Sequence, residues 1–331
     1  MKKILWMSLI LYFCMLLIPF SMLEAGTGKA IETMKPVPLT AETNLVTQNS
    51  EKAEETIDYF RVYNHETKKI IKMKSEDYIF GVVSAEMPAL YEEEALKAQA
   101  VAAYTYACFN RKNNANKDYD VSTDYNVSQS FLAEEKLNEK WGSKTEEYKA
   151  KIRKAINESS GYVIKYNDEI ILSVYHAISP SKTENSENVW GKAYPYLKSV
   201  DSSFDTKAEN FSTKAEFTQK ELEEKLGDKI KKGFSPKDYF GDVSLSKTGL
   251  VKEIQICDKK YKGSEIREIF DLRSSNFTVE YKEGKFIFTV CGYGHGVGMS
   301  QFGANELAKE GKNFKEILEY YYTDCKVALC Q

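Results

Sequence analysis

Six alanines, Ala95, Ala98, Ala100, Ala102, Ala103 and Ala107, fall inside one uninterrupted helical stretch, Glu92–Asn110. Side chains this small let neighbouring elements come close, so the pattern predicts a helix packed on several sides rather than one with a single apolar stripe. Alanine's own helix propensity accounts for part of the pattern. Just upstream, Ser75 with Glu76 and Asp77 marks a helix start, and Tyr78, Ile79, Val82 and Val83 supply its apolar face. Pro88 disfavours helix at Met87, which places a break beside Glu86.

Strands surround these helices. Ile57–Asn64 and Ile70–Met73 read as a hairpin, as do Tyr162–Tyr166 with Ile170–Tyr175 across Asn167-Asp168, and Phe277–Tyr281 with Phe286–Val290 over Glu283-Gly284. Val251–Cys257 reads as a strand, Thr145–Glu158 as a helix capped at Gly161, Ser264 as the cap of a short helix, and Phe314–Tyr322 as a closing helix. Strands and helices mix without regular βαβ alternation, which gives an α+β class. Residues 206–250 are highly charged and carry little pattern.

The N-terminus adds a different constraint. Lys2 and Lys3 precede an apolar run, Ile4–Leu23, broken only by Ser8, Pro19 and Ser21. A bilayer core needs about 20 apolar residues, whereas a signal-peptide core is about 7–15 and ends in small residues. The run is long and Met22-Leu23-Glu24-Ala25-Gly26 is a poor cleavage site, so an uncleaved anchor is expected, with its lysines in the cytoplasm. Residues 1–23 then form the cytoplasmic tip and transmembrane helix, 24–56 a flexible linker and 57–331 a single ectodomain outside the cytoplasm. Net charge is −3, which supplies no basic field for nucleic acid. The chain has 22 tyrosines, a surplus that suits carbohydrate-contacting surfaces or simply a tyrosine-rich core. Five cysteines lie beyond the apolar run without C-x-x-C or metal-ligand spacing, so neither a disulfide framework nor a metal site is expected.

Three segments offer chemistry. In Gly81–Leu90, Glu86 sits among small and apolar residues; low polarity raises a carboxyl's pKa, as a general acid near neutral pH requires. An exposed glutamate at a helix end is the alternative. Tyr175–Trp190 follows a strand and is rich in short polar side chains, as binding loops and ordinary surface loops both are. In Gly292–Gln301, four glycines surround His295 and let backbone pass close to a ligand or a neighbouring segment. The loop lacks the Lys and Ser/Thr spacing of a P-loop, and no G-x-S-x-G or H-E-x-x-H motif occurs.

Together these segments resemble the stage II sporulation protein D family of lytic transglycosylases. The matching pieces are Gly81–Pro88, Glu94–Ala107, Thr183–Trp190 with Pro195–Val200, and Gly294–Ala304, with weaker agreement at Gln129, Gly161 and Gly263–Ser275. The resemblance implies that Glu86 is the catalytic acid/base. His295, Gln301, Ser300, Gln99, His176, Thr183 and Asn185 would be substrate-binding residues, with no cofactor. It implies cleavage of the bond between N-acetylmuramic acid and N-acetylglucosamine, leaving 1,6-anhydro ends on peptide-stripped glycan strands during spore engulfment. It further implies a sporulation amidase (stage II sporulation protein P) and a membrane anchor protein as partners, and a place in the septal space between forespore and mother cell. A hydrolase, and a non-catalytic activator of an amidase, remain alternatives. Tyr104 stands where many members have Arg, and Pro180-Ser181 where many have a glycine pair. Some members carry zinc-binding cysteines near the counterpart of His176; this loop has none.

Overall fold

The computed structural model describes residues 57–330. The expected anchor and linker lie outside the described residues. Among those described, no helix is long and apolar enough to cross a membrane.

Strands β1 (Tyr59–Asn64) and β2 (Lys69–Lys74) pair antiparallel, with Phe60 opposite Met73. Helix α1 (Ser75–Glu86) follows directly. It ends where Pro88 requires: Met87 is extended, with φ −119° and ψ 138°. Ser75 is the first helical residue rather than a cap, and its hydroxyl donates to the Ile57 carbonyl. Helix α2 (Glu93–Asn113) then runs through the centre of the molecule. All six of its patterned alanines are buried, because α1, α4 (Thr145–Glu158), α8 (Gln301–Lys309) and α9 (Phe314–Tyr321) pack around it.

Between α2 and α4 lie β3 (Val121–Ser122), parallel to β1, and the short α3 (Leu137–Trp141). After α4 come β4 (Tyr162–Tyr166) and β5 (Glu169–Ile170), joined by Asn167 and Asp168, both left-handed at φ 49° and 64°, as a tight hairpin requires. The second strand of that hairpin is shorter than the sequence suggests; Ile171, Leu172 and Val174 are buried in irregular chain before β6 (Tyr175–His176). Helix α5 (Ser186–Trp190) follows.

The chain then builds a second core. It contains β7 (Ser212–Thr218), α6 (Gln219–Leu226), β8 (Phe240–Leu245), β9 (Val251–Ile256) and β10 (Lys259–Lys262). Helix α7 (Gly263–Phe270) and the hairpin β11 (Phe277–Lys282) and β12 (Lys285–Cys291) complete it. Phe286, Phe288, Ile254 and Ile266 centre this cluster, separate from the one built on α1 and α2. Within the one ectodomain that the sequence suggests, hydrophobic packing is therefore double. The chain returns through the glycine-rich segment to β13 (Met299–Ser300), parallel to β6, then α8 and α9, and ends with β14 (Lys326–Leu329) on β4. No disulfide joins the described cysteines.

Candidate active site

Glu86 is the last residue of α1, only 8% exposed. Its Oε1 accepts from the backbone N–H of Ser130 at 3.0 Å, and its Oε2 from Nε2 of Gln301 at 3.4 Å. Burial pushes its pKa up to about 7, although both hydrogen bonds and the nearby Lys140 cation act in the other direction. Among the groups that act most strongly on Glu86, none is a second carboxylate. Of the two readings that the sequence leaves open, this is the buried, low-polarity carboxyl and not the exposed helix end.

Local sequence explains the placement. Gly81 has no Cβ, and one placed there would stand 2.2 Å from the ring of Phe131. The aromatic ring therefore lies flat on α1, and Leu132 N–H reaches the Gly81 carbonyl at 3.0 Å. Ser130 is thereby held against Glu86. Gln301 arrives from the far end of the chain as the first residue of α8, whose start Ser300 caps by accepting from Gly303 N–H. Gly298, at φ +73°, has no room for a side chain: a Cβ would meet the Val174 carbonyl at 2.0 Å. Beneath the carboxyl lies a polar layer: Tyr175 donates to Gln129 at 2.9 Å, and Gln129 donates to Tyr78 and to the Ala103 carbonyl.

Of the residues expected to bind substrate, Gln99 and Gln301 meet at Glu86: Gln301 Nε2 also donates to Gln99 Oε1 at 3.3 Å. Ser300 is adjacent in sequence but turns away, donating to Asp205 at 2.9 Å. His176 donates through Nδ1 to the Val297 carbonyl at 3.1 Å and accepts from Ser179 at Nε2 at 2.7 Å. Burial lowers its pKa to about 4, so the ring is neutral. Thr183 bridges Lys198 O and Val200 N–H, and Asn185 accepts from Ser199 N–H, so both fasten the 183–200 loop to itself. His295 accepts from Val297 N–H at Nδ1, which leaves Nε2 as the protonated nitrogen. That Nε2 is buried and makes no hydrogen bond of good geometry among the described residues, although the Tyr175 backbone lies close to the ring, which stands 5.1 Å from that of Trp190. Burial keeps this histidine's pKa well below its ordinary value.

Three contributors were not visible in sequence. Ser130 acts through its backbone N–H and a hydroxyl close to the carboxyl, but one serine in a polar loop stands out no more than another. Lys140 is one lysine among many, and its ammonium reaches the end of α1. Asp205 falls just before the charged stretch 206–250, and no motif in the sequence singles it out, yet it is fully buried and accepts from Ser179 N–H, Ser202 and Ser300. Burial raises its pKa to about 6. It ties the His176 loop to the start of α8. A cavity lined by Ile57, Ser75, Tyr104 and Gly161 lies at the opposite end of α1. The departure at Tyr104, which accepts from Ile57 N–H at 2.8 Å, falls there and not at Glu86. Among the described residues, no cluster of three or more His, Cys, Asp or Glu is arranged to hold a metal ion.

A buried carboxyl poised near neutrality at a helix end, between two N–H donors in a mixed α+β body, is an arrangement that can give and take a proton near neutral pH. A family described as Stage II sporulation protein matches residues 63–166. The chain is 32% identical over 317 residues to stage II sporulation protein D of Bacillus subtilis (strain 168), covering 95% of this chain and 90% of that one. It is 34% identical over 315 residues to the protein of the same name from Bacillus amyloliquefaciens, covering 93% and 88%. The chain belongs to the stage II sporulation protein D family, whose role is in sporulation. It is also 27% identical over 296 residues to a B. subtilis protein named amidase enhancer, covering 73% of this chain and 39% of that one.

Proposed function

We propose that this protein is a lytic transglycosylase that cuts peptidoglycan glycan strands, with Glu86 as its single acid/base. The observation that carries this reading is the burial of Glu86 at the end of α1, held by the Ser130 N–H and the Gln301 amide. At a pKa of about 7, both protonation states are populated near neutral pH. The acid form protonates the glycosidic oxygen between N-acetylmuramic acid and N-acetylglucosamine. The carboxylate then takes the proton from the muramic C6 hydroxyl as that oxygen closes on the anomeric carbon, giving a 1,6-anhydro end. The substrate supplies the nucleophile, so no second carboxylate is needed, in contrast to the usual glycosidase pair. His295, with its buried Nε2–H, and the neighbouring Trp190 ring are suited to contacting sugar oxygens and a sugar face.

In this reading residues 4–23 anchor the chain in the cell membrane and the catalytic part faces the septal space during engulfment. Stripped strands would come from a sporulation amidase acting alongside, with a membrane anchor protein as a second partner. The relative named amidase enhancer favours one other reading, in which the chain activates an amidase without cleaving glycan itself.

The test is to incubate the full chain in detergent with peptide-free glycan strands and weigh the products. Anhydro ends that disappear with Glu86→Gln, a loss of about 10²–10⁴-fold, are expected. Hydrated ends would mean a hydrolase. Amidase stimulation that survives Glu86→Gln, with no glycan cleaved, would mean the activator.

A further inference from the structure

The two hydrogen bonds that hold the Glu86 carboxyl come from N–H donors, the backbone of Ser130 and the amide nitrogen of Gln301; the Ser130 hydroxyl lies close by and also favours the ionised form. What fixes Gln301 in that sense is Gln99. Its carbonyl oxygen stands 3.3 Å from the same Gln301 nitrogen. With two acceptors on one side, the Gln301 amide has one workable orientation; turned over, its oxygen would face oxygens. Gln99 is itself fully buried, and its own Nε2 meets no acceptor among the described residues. Turning the Gln99 amide over by itself would point that nitrogen at the nitrogen of Gln301, so the two amides can turn only together. Buried side-chain donors nearly always find partners, so an orphaned one beside a reactive carboxyl is an arrangement that folding alone disfavours.

We propose that Gln99 is a positioning residue that acts on Glu86 through Gln301, holding the Gln301 amide as a donor so that the proton of neutral Glu86 finds no acceptor there and is presented to the bound substrate. The inference rests on Glu86 being the general acid. Without the Gln99 carbonyl, Gln301 turns over whenever Glu86 is protonated, accepts its O–H and withdraws that proton from the leaving oxygen. Nothing covalent changes; only the direction of one hydrogen bond does. The neutral form of Glu86 gains a partner while the ionised form keeps its donor, so the proton affinity of Glu86 rises as its reactivity falls.

The experiment uses the full chain with Gln99→Met, Gln301→Met and both together, Met being close in size to Gln. The Glu86 carboxyl is titrated by carbon-13 NMR, and turnover is followed on peptide-free glycan strands. Gln99→Met should raise the apparent Glu86 pKa by roughly half to one unit. It should lower kcat about tenfold with KM within about twofold, as expected for a transition-state defect. In the Gln301→Met background it should add nothing further. An unchanged titration, or an equal shift with and without Gln301, overturns the relay. If the unsubstituted chain cleaves no glycan, the general-acid reading fails, while the titration still decides whether Gln99 acts through Gln301.

Discussion

The ammonium of Lys140 donates to the carbonyl of Ser84 across 2.7 Å, and at 3.3 Å to that of Ala85. These carbonyls belong to the final turn of α1, where partial negative charge collects and where Glu86 is the last residue. A cation carried by α3 thus stands beside the carboxyl. It draws the Glu86 pKa down, while burial, the larger effect, pushes it up. Burial lowers the pKa of Lys140 in turn, and Glu86 raises it.

Replacing Lys140 by Met therefore removes an influence that favours the ionised form of Glu86. The Glu86 pKa should rise further above its value of about 7. A reaction that needs the protonated acid would keep its rate to higher pH, with the alkaline limb displaced upward by roughly half a unit. The pH dependence of kcat/KM reads this directly. A limb that stays in place or moves to lower pH contradicts the role given to Lys140.

The raised pKa of Glu86 also has a cost in stability, and its sign is definite. The ordinary value is 4.5 and the folded value about 7. Between them the folded chain binds more protons than the unfolded one, so stability falls as pH rises through this window. Above it the penalty is complete, roughly 3 kcal/mol. Glutamine at this position does not titrate. Glu86→Gln should thus be more stable than the unsubstituted chain at pH 8, by about 1–3 kcal/mol, and nearly equal to it at pH 4.5. Urea unfolding at the two pH values checks this; a variant less stable at pH 8 would show that Glu86 supports the fold.

What could be read from sequence followed local rules. Helix α4 begins and ends where expected, at Thr145 and Glu158, and α1 stops at Glu86 because of Pro88. The alanine pattern of α2 identified the central helix. The later part of the second core was legible, since β9, α7 and the β11–β12 hairpin lie where expected, but its first part was not: the inward positions of β7 are only half-buried and include the weakly apolar Thr213 and Ala215, and β8 is exposed along nearly its whole length. At the site, the apolar neighbours of Glu86 left a buried acid and an exposed helix end both open, and the family resemblance singled the residue out. Its cradle was not legible, because Ser130 lies 44 residues away and binds mainly through a backbone N–H, Gln301 lies 215 residues away, and nothing local reports such contacts. Thr183 and Asn185 were legible as polar loop residues, but their side chains are engaged within the loop itself, which only three dimensions reveal.

Glu184 joins the two cores. Its side chain is buried, with 2% exposure; one oxygen accepts from Asn185 N–H and Asn188, the other from the hydroxyls of Ser246 and Thr248 in the second core. Its own N–H donates to Gly296 at 2.7 Å, so the same residue braces the glycine-rich loop that carries His295. Glu184→Ala leaves several buried donors without an acceptor and should destabilise the chain by about 2–4 kcal/mol. Glu184→Gln keeps one acceptor oxygen, and since hydroxyl donors can rotate to accept from its amide, it should lose only about 1 kcal/mol. Hydrogen exchange separates this junction role from general unfolding. In the Ala variant, protection should fall first at residues 185–190 and 246–250, while α2 keeps its protection. Uniform loss across α2 would mean that Glu184 holds the whole fold, and unchanged protection at both segments would mean that it holds neither.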